Sequence, residues 1–362
     1  MAMPDIHLRV RDHTTSISVG SGLLDHIGAW VSTNCTPHLV CICSDTTVWP
    51  LYGGPVTRSL ERSGVPYSVH VIPPGDGSKC FAELEHLVDA LARVGIGRDG
   101  LLLAVGGGVV SDLTGLTAAI WTRGVRYVNC PTTLEACVDA AIGGKTGINH
   151  AAGKNLVGAF HQPEWVAIDP ACLRTLPRRD VAAGLAECVK HGLIADASLF
   201  QWYESNADAI IGLDDRVTEE LIQRNVAIKV SVVEQDEKEQ GRRAILNFGH
   251  TLGHAIESHE QYRLRHGEAV SLGMLCAAWM SHRLGLVDAT IVERIRTLLA
   301  RFGLPTTFSC TDLEAVIALT RSDKKSRAGR RRWVLLDGIG STIIRDDVPD
   351  DVVRDGLRAV LA

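Results

Sequence analysis

The order of apolar runs along this chain of 362 residues constrains its fold more than any other feature. Short strand-like runs alternate with helical patterns through the first half, whereas strand signals nearly vanish after about Pro170. Alternating strands and helices are typical of a mostly parallel sheet, which binds ligands at the carboxyl ends of its strands. The chain also exceeds the usual size of one hydrophobic core. We therefore expect two domains, an α/β domain over residues 1–172 and a helical domain over residues 173–362.

The expected elements follow from hydrophobic period and turn residues. Strands are predicted at Ile6–Val10, Ser16–Val19, His38–Cys43, Tyr67–Ile72, Leu101–Val105, Tyr127–Cys130 and Trp165–Asp169. Helices are predicted at Ala82–Val94, Arg179–Ile194, Val217–Val233, Ala244–Glu257, Glu268–Leu284 and Ala289–Phe302. Trp333–Leu336 followed by Asp337 and Gly338 predicts a short hairpin.

Composition excludes several classes of function. A net charge of −5 argues against nucleic acid or an anionic membrane as a partner. The ten cysteines are scattered and form no CxxC pair, so we expect reduced thiols in a cytoplasmic protein. No apolar run reaches the roughly eighteen residues of a membrane span.

One polar stretch in the second half is hard to explain as a solvated surface. On a continuous helix over Arg243–Glu257, spacings of four, three and four residues would put one set on a common face: Arg243, Asn247, His250 and His254. Gly249 and Gly253 each cost such a helix about 1 kcal/mol relative to alanine, which indicates that another group approaches the backbone closely. We expect this face to serve a single site.

Two histidines and one carboxylate predict a catalytic metal site of the zinc type, with one position open to substrate. His250 and His266 are the candidate histidines. Glu187 is the candidate carboxylate because it lies in an otherwise apolar helical segment, where an unpaired charge would be costly. Spacing alone leaves three alternatives open: His191 as a ligand, His254 in place of His250, and a simple ion pair of Glu187 with Lys190.

A glycine-rich turn follows the fifth predicted strand and opens a helix. The bare backbone of Gly106–Gly108 suits a pyrophosphate, although Ser111 breaks the GxGxxG pattern and no Walker lysine follows. Asp45, at the end of an earlier strand, is a candidate partner for ribose hydroxyls. Thr132 and Thr133 follow the next strand.

Two further stretches carry cations that suit an anionic ligand. Asp139–Asn155 contains two lysines, two asparagines and four glycines, and Arg123 lies upstream. Apolar residues flank this stretch, so we expect a loop pinned against the fold and able to surround a small polyanion. The basic run Arg321–Arg332 is expected to be mainly a solvated face, from which one or two cations reach a substrate anion.

Together these motifs resemble the sugar-phosphate cyclases, and most closely the 3-dehydroquinate synthase family. The likeness covers nearly the whole chain, through Gly106–Gly115, Arg123–Arg126, Pro131–Leu134, Val138–Asn149, Gly153–Pro163, Leu185–Lys190, Leu246–Glu257, His266–Glu268 and Asp323–Lys325. The resemblance implies an N-terminal Rossmann-like nucleotide-binding domain and an all-α C-terminal metal and substrate domain. It also implies a lyase of the shikimate pathway that converts 3-deoxy-D-arabino-heptulosonate 7-phosphate to 3-dehydroquinate and phosphate, recycling NAD within each turnover.

The resemblance assigns roles that spacing does not. It implies zinc, or cobalt in its place, on Glu187, His250 and His266. It implies an NAD site at Asp45, Asp76, Lys79, Gly107, Gly108, Asp112, Thr132, Thr133, Lys145 and Lys154. It implies a substrate pocket of Arg123, Asp139, Lys145, Asn155, Lys190, Lys229, Arg243, Asn247, His254 and Lys324. A homodimer is expected by the same likeness.

Two departures and several alternatives accompany the resemblance. Ala140 and Ala141 stand where many members have two serines, and Glu135 stands where a small or apolar residue is commoner. An aminodehydroquinate synthase is the main alternative, ahead of cyclases acting on sedoheptulose 7-phosphate or glucose 6-phosphate. An iron-type polyol dehydrogenase is the alternative from a different class, and a non-enzymatic ligand-binding descendant is the last.

Overall fold

The computed structural model describes residues 6–310, 312–321 and 331–362. The chain forms two compact units, one of Met1–Leu176 with Lys229–Lys238 and the other of Pro177–Ile228 with Glu239–Ala362. Lys324, predicted to reach the substrate, lies outside the described residues. The functional labels given to residues 1–172 and 173–362 stay predictions.

The first unit is built on a seven-stranded sheet and a separate two-stranded hairpin. Its strands are β1 (Ile6–Val10), β2 (His13–Val19), β3 (Val40–Asp45), β4 (Tyr67–Ile72), β5 (Leu101–Gly106), β6 (Arg126–Pro131), β7 (Lys145–His150), β8 (Gly153–Phe160) and β9 (Trp165–Ile168). The sheet order is β1-β2-β9-β6-β5-β3-β4. Only the β1–β2 pair of this sheet is antiparallel, which confirms the predicted, mostly parallel sheet.

Helices cover both faces of this sheet: α1 (Ile27–Asn34), α2 (Trp49–Arg62), α3 (Phe81–Val94) and α4 (Gly108–Ile120). Successive residues of β3 enter different cores because side chains alternate along a strand. Val40 and Ile42 pack in a cluster with side chains of α1 and α2. Cys41 and Cys43 pack in another with side chains of α3 and α4. The two cysteines are therefore core residues.

The Asp139–Asn155 stretch, predicted as a loop, is largely a hairpin. A π-helical turn over Ala136–Ala140 is followed by β7 and β8, which pair antiparallel. The strand pattern is hard to recognise because glycines sit where the strands approach most closely. A Cβ on Gly147 would lie 2.8 Å from the Val157 carbonyl oxygen. The prediction of a loop was therefore wrong. The prediction that this stretch is pinned against the fold is confirmed, since Ile148 is buried in the core shared with α3 and α4.

The second unit is mainly helical. Its elements are α5 (Arg178–Ala195), α6 (Ala197–Ile211), most of α7 (Asp215–Gln235), α8 (His250–His259), α9 (His266–Arg283), α10 (Ala289–Arg301), α11 (Leu313–Arg321), the β10–β11 hairpin (Trp333–Gly338 and Ser341–Arg345) and α12 (Asp350–Arg358). Helix α9 is buried almost all round and packs against α5, α8, α10, α12 and β10. Such a helix belongs to the centre of a core.

The predicted helix Ala244–Glu257 is interrupted. A 3₁₀ helix over Arg242–Asn247 ends before Gly249, whose φ of 77° is left-handed, and α8 begins at His250. The expectation that four polar residues share one face of a continuous helix is therefore wrong. A glycine adopts this φ without the Cβ clash that other residues meet, which explains the break.

The group that approaches the two glycines of this stretch is helix α9. A Cβ on Gly249 would lie 2.8 Å from the Met274 nitrogen, and one on Gly253 would lie 3.0 Å from the Ala269 carbonyl oxygen. These contacts put the backbones of α8 and α9 against each other.

Among the described residues, no helix combines the length and apolar character that a membrane span needs.

Candidate active site

Three atoms of the second unit are spaced as ligands of one metal ion. Glu187 lies in the middle of α5, while His250 and His266 are the first residues of α8 and α9. Glu187 Oε1 lies 3.6 Å from His250 Nε2 and 3.6 Å from His266 Nε2. With metal–ligand bonds of about 2.1 Å, two ligands of a tetrahedral ion lie about 3.4 Å apart. The donor set and its spacing therefore fit zinc or cobalt.

His254 belongs to the same cluster. It lies one turn after His250 on α8, and ring nitrogens of His250, His254 and His266 all lie within 4.8 Å of one another. The His250–His254 and His254–His266 ring centroids are 5.4 and 5.6 Å apart. Hence His254 lies beside both predicted histidine ligands. The choice of Glu187, His250 and His266 as the ligands, with His254 beside them, stays a prediction that the 3.6 Å contacts favour.

The Glu187 carboxylate has two neighbours of different kinds. Its Oε2 forms an ion pair with Lys190 Nζ, and both side chains are buried. Its Oε1 is the oxygen near the two imidazoles. The Glu187–Lys190 ion pair, considered as an alternative to a metal role for Glu187, is therefore present. It does not exclude that role, because the ion pair and the contacts with the imidazoles use different oxygens.

His191 is held in a buried network of its own. Its Nδ1 lies 3.1 Å from Asn225 Oδ1, which also accepts a hydrogen bond of 3.0 Å from the Tyr203 hydroxyl. This contact explains a buried imidazole on α5 without a metal. His191 therefore fits a structural role better than that of a competing ligand.

Two carboxylates near the metal-ligand cluster were missed by the sequence analysis. Glu257 is buried, and its Oε2 lies 3.9 Å from His266 Nδ1. Glu268 accepts hydrogen bonds from Arg179 Nε at 2.6 Å, Arg179 Nη2 at 2.7 Å and the Arg265 backbone N–H at 2.8 Å. The burial argument applied to Glu187 would have indicated Glu257. The position of Glu268, three residues after Arg265, is that of a capping glutamate.

The pKa of the Glu268 carboxyl is lowered from its usual value. Burial acts to raise it, but the hydrogen bonds from Arg179 and from the Arg265 backbone outweigh burial. Glu268 is therefore charged at neutral pH. This charge is held next to the first turn of α9, where a helix dipole also favours an anion.

Two predicted substrate residues lie in the 3₁₀ helix before α8. Arg243 is almost completely buried, and Asn247 Nδ2 donates to Glu239 Oε1. Glu239 was not predicted; its φ of 55° is unusual for a residue other than glycine and was not visible in the sequence.

In the first unit, the glycine-rich turn lies at the carboxyl edge of the sheet. Gly107 caps α4, and Gly108 is the first residue of that helix. A Cβ on Gly107 would lie 3.0 Å from Thr133 Cγ2, and one on Gly108 would lie 3.3 Å from the Ala140 Cβ. Only a bare backbone fits here without displacing these neighbours. The turn therefore presents a helix N-terminus suited to a pyrophosphate.

Predicted nucleotide-binding residues lie at the ends of adjacent strands around this turn. Asp45 ends β3, Gly106 ends β5 and Thr132 follows β6, and β5 pairs with both other strands. Asp45 Oδ1 accepts backbone hydrogen bonds from the two residues that follow Thr46, at 2.8 and 2.9 Å. The carboxylate is thereby held in a fixed orientation.

The other predicted cofactor residues form two ion pairs. Lys79 pairs with Asp112, and Lys154 Nζ lies 3.1 Å from Asp76 Oδ2. Asn149 joins the pairs because its Nδ2 donates to Asp76 Oδ2 at 3.1 Å and its backbone N–H donates to the Lys79 carbonyl oxygen at 2.7 Å. Burial raises the pKa of Asp112, an effect that Lys79 partly offsets.

The predicted substrate residues of the first unit divide into two groups. Lys229 forms an ion pair with Asp139; both belong to this unit because the last part of α7 does. Arg123, Lys145 and Asn155 are exposed, and the φ values of Arg123 and Asn155 are 71° and 52°. The roles of these three in binding stay predictions.

Comparison with known proteins gives the family. A family model described as 3-dehydroquinate synthase N-terminal matches residues 69–183, and one described as 3-dehydroquinate synthase C-terminal matches residues 184–326. The 3-dehydroquinate synthase of Synechocystis sp. is 45% identical to the chain over 319 residues, which are 87% of this chain and 88% of the relative.

Solved structures of sugar-phosphate cyclases share the fold. One is 2-epi-5-epi-valiolone synthase of Streptomyces hygroscopicus with NAD+ and Zn2+ bound, at 28% identity, a TM-score of 0.89 and coverage of 97% of this chain and 98% of that one. Another is 2-deoxy-scyllo-inosose synthase with carbaglucose-6-phosphate, NAD+ and Co2+, at 25% identity, a TM-score of 0.90 and coverage of 99% and 100%. The fold expected from the sequence is thus confirmed.

Proposed function

Since the chain belongs to the 3-dehydroquinate synthase family, we propose that it converts 3-deoxy-D-arabino-heptulosonate 7-phosphate to 3-dehydroquinate and phosphate. The carboxylate of Glu187 is the observation that carries the proposal. One oxygen faces His250 and His266 at ligand spacing, while the other pairs with the buried cation Lys190. A metal site that includes a buried cation suits a substrate that is both a polyol and an anion.

The proposed cofactors are NAD and one zinc or cobalt ion. When bound, NAD supplies a reversible hydride acceptor and the metal polarises the hydroxyls of the substrate. The glycine-rich turn, Asp45 and the Lys79–Asp112 pair would hold NAD; Glu187, His250 and His266 would hold the metal. Both sets fit on structural grounds: the Thr133 methyl leaves no room for a side chain at Gly107, and the ligand atoms lie 3.6 Å apart.

The protein's own residues would bind, orient and protect the reacting groups. Lys190 and Arg243, both almost fully buried, would hold a carboxylate or phosphate. Asn247 and His254 would position hydroxyls. Oxidation of the C5 carbinol to a ketone makes the C–H of the neighbouring carbon acidic. When that proton is removed, the C–H electron pair forms the new double bond, and phosphate leaves with the electron pair of its C–O bond. The departing phosphate is itself a base able to take that proton.

The other residues predicted to bind substrate would act on its anionic end. Lys229 and Asp139 form an ion pair that a bound phosphate can reorganise, since a cation exchanges one anionic partner for another. Arg123, Lys145, Asn155 and Lys324 complete the proposed set. The homodimer and the cytoplasmic location remain predictions from the sequence.

The experiment that tests the proposal supplies the purified protein with the heptulosonate phosphate, NAD and zinc. We expect equimolar phosphate and carbocycle without accumulation of NADH, measured by phosphate assay, NMR and NADH absorbance. Accumulation of NADH in proportion to substrate would instead indicate a polyol dehydrogenase. Turnover of the amino analogue alone would indicate an aminodehydroquinate synthase.

A further inference from the structure

We propose that Arg179 and Glu268 are positioning residues that fix helix α9 on helix α5 at the separation the metal site requires. This inference rests on the metal site of the proposed function, because it concerns how Glu187 and His266 are brought together. Glu187 is on α5 and His266 begins α9, so the distance between these two helices sets the distance between the two ligands.

The first contact between the helices is a two-pronged ion pair. Arg179 Nε lies 2.6 Å from Glu268 Oε1, and Arg179 Nη2 lies 2.7 Å from Glu268 Oε2. Two parallel N–H···O bonds fix both the distance and the orientation of the groups, which a single bond does not. Arg179 stands two turns before Glu187 on α5, and Glu268 stands two residues after His266 on α9.

A second contact is made by the backbone. A Cβ on Gly267 would overlap the carbonyl group of Ala183, so α9 begins in direct contact with α5 at a point between Arg179 and Glu187. Arg265, the residue before His266, adds an ion pair of 2.8 Å from its Nε to Asp180 Oδ1. These contacts form a clamp, defined by Arg179, Asp180 and Ala183 on α5 and the 265–268 turn.

The clamp acts at the end of α9 that carries the ligand. His266 lies between Arg265 and Gly267, and all three neighbouring positions 265, 267 and 268 contact α5. The imidazole therefore starts from a backbone that is held on both sides. Metal–ligand bonds tolerate changes of only about 0.2 Å, so a small displacement of α9 weakens binding.

An ordinary surface ion pair is the alternative interpretation. Arg179 is half exposed, but the Glu268 side chain is only 12% exposed and also accepts the Arg265 backbone N–H at 2.8 Å. A surface pair would leave metal affinity unchanged when it is removed. The α6–α10 pair in the same unit offers that comparison: Arg294 Nε and Nη2 contact the two oxygens of Glu204 at 2.9 and 2.7 Å.

The test compares Arg179→Met with Arg294→Met, since each removes one two-pronged guanidinium and keeps an apolar stem. Zinc affinity is measured by chelator competition on the zinc-loaded protein, and the cobalt-loaded protein is examined by visible absorption. We expect Arg179→Met to weaken zinc binding about tenfold and to alter the cobalt spectrum, because outer residues of metal sites have effects of this size. Arg294→Met should leave both unchanged.

Two further variants separate positioning from folding. Glu268→Gln keeps an acceptor for the Arg265 N–H, and therefore the helix cap, but loses the charge-assisted pair. It should also weaken zinc binding and alter the cobalt spectrum, in protein whose circular dichroism is that of the parent. Arg179→Lys keeps the charge but not the fork, so we expect it to recover only part of the affinity.

The inference is overturned if Arg179→Met and Glu268→Gln are folded and keep the parent zinc affinity and cobalt spectrum. It is also overturned if Arg294→Met weakens zinc binding as much as Arg179→Met does. Neither readout uses turnover. A parent protein whose zinc affinity depends on the clamp, yet which forms no carbocycle, would contradict the proposed function and leave this inference standing.

Discussion

Single carboxylates in this protein each serve two partners. Glu187 directs one oxygen to Lys190 and the other to the imidazoles of His250 and His266. Glu268 receives the fork of Arg179 and also the backbone N–H of Arg265. A carboxylate has two oxygens with several acceptor positions, so it can hold a structural cation and still meet a second group.

Replacing His266 with alanine should remove the metal together with activity. Two remaining ligands hold zinc too weakly to survive purification, because the site then lacks one of its three protein donors. Metal content is measured by atomic absorption. His282→Ala on the same helix is the control, since His282 Nδ1 contacts the Val287 carbonyl oxygen at 3.0 Å and lies in the last turn. Retention of full zinc stoichiometry in His266→Ala would contradict the ligand assignment.

The Lys79–Asp112 pair should be strongly coupled. Lys79→Met leaves the Asp112 carboxylate, which is only 17% exposed, without its cation, so we expect the free energy of unfolding to fall by about 3 kcal/mol. The double variant Lys79→Met, Asp112→Leu should recover most of this loss because neither charge is then buried. Urea unfolding of the parent, Lys79→Met, Asp112→Leu and the double variant measures the coupling. Strictly additive effects would show that the pair is not coupled.

At this scale the sequence was informative where burial makes charge costly. Glu187 was identified by that reasoning, and Glu257 could have been. Lys229 was identified only through the family resemblance, because its partner Asp139 is distant in sequence. Spacing alone did not exclude His191 as a metal ligand beside His250. Their difference lies in Asn225, a contact between helices.

Among the elements, helices α8 and α9 are packed through glycine. Gly249, which precedes α8, and Gly253 on α8 face the backbone of α9, and a Cβ on Gly273 of α9 would overlap the Gly249 carbonyl oxygen. This packing brings the first residues of both helices, His250 and His266, into one cluster. The glycines therefore contribute to the metal site through the distance between helices.

Gly253→Ala should destabilise the second unit although alanine favours a helix. The added Cβ would lie 3.0 Å from the Ala269 carbonyl oxygen and 3.1 Å from the Val270 Cα, so the backbones must separate. We expect a loss of about 2 kcal/mol in the free energy of unfolding. Gly77→Ala is the control, since its Cβ would meet no atom within 4 Å. Equal stability of the two variants would contradict close packing.

The N-terminus of α6 should make stability depend on pH. Burial acts to raise the pKa of Asp196, but hydrogen bonds from Ser198 and Leu199 outweigh it and the pKa is lowered. A carboxyl whose folded pKa is lowered stabilises the fold above its unfolded pKa, and this stabilisation is lost as pH falls through the folded pKa. Asp196→Asn keeps a cap but cannot titrate, so its unfolding free energy should fall less steeply in acid. Parallel pH profiles would contradict this.

Replacing the same cap with alanine tests its size. Asp196→Ala removes the acceptor for the backbone N–H groups of Ser198 and Leu199, which lie 2.9 and 3.0 Å from Oδ1. We expect a loss of about 1 kcal/mol near neutral pH.

Hydrophobic periodicity predicted the strands of the main sheet well, but it gave the wrong structure for two stretches that contain glycines. The seven strands of the main sheet were all expected from apolar runs. The interrupted helix before His250 was not, because the left-handed φ of Gly249 and its close approach to Met274 on α9 leave no mark in a periodic pattern. The β7–β8 hairpin was predicted as a loop because its sequence is rich in glycine, as loops are. Gly147 and Gly158 are instead required by the close contact between the two strands.

For the whole molecule, the two compact units carry different parts of the proposed chemistry. The glycine-rich turn and the Lys79–Asp112 pair belong to the first unit, and the metal-ligand cluster belongs to the second. The family resemblance joined these parts into one reaction before any contact was known. Chain length and hydrophobic period indicated two domains, and two histidines with Glu187 indicated a metal, but none of these indicated the substrate.

In the proposed reaction, a hydride leaves the substrate and returns to the same carbon in one turnover. The most direct measurement supplies heptulosonate phosphate carrying deuterium on its C5 carbinol carbon, with NAD and zinc, and analyses the product by NMR and mass spectrometry. We predict 3-dehydroquinate that keeps the deuterium at that carbon, with one phosphate released per product. Deuterium found in accumulated NADH, or lost from the product, would contradict the account.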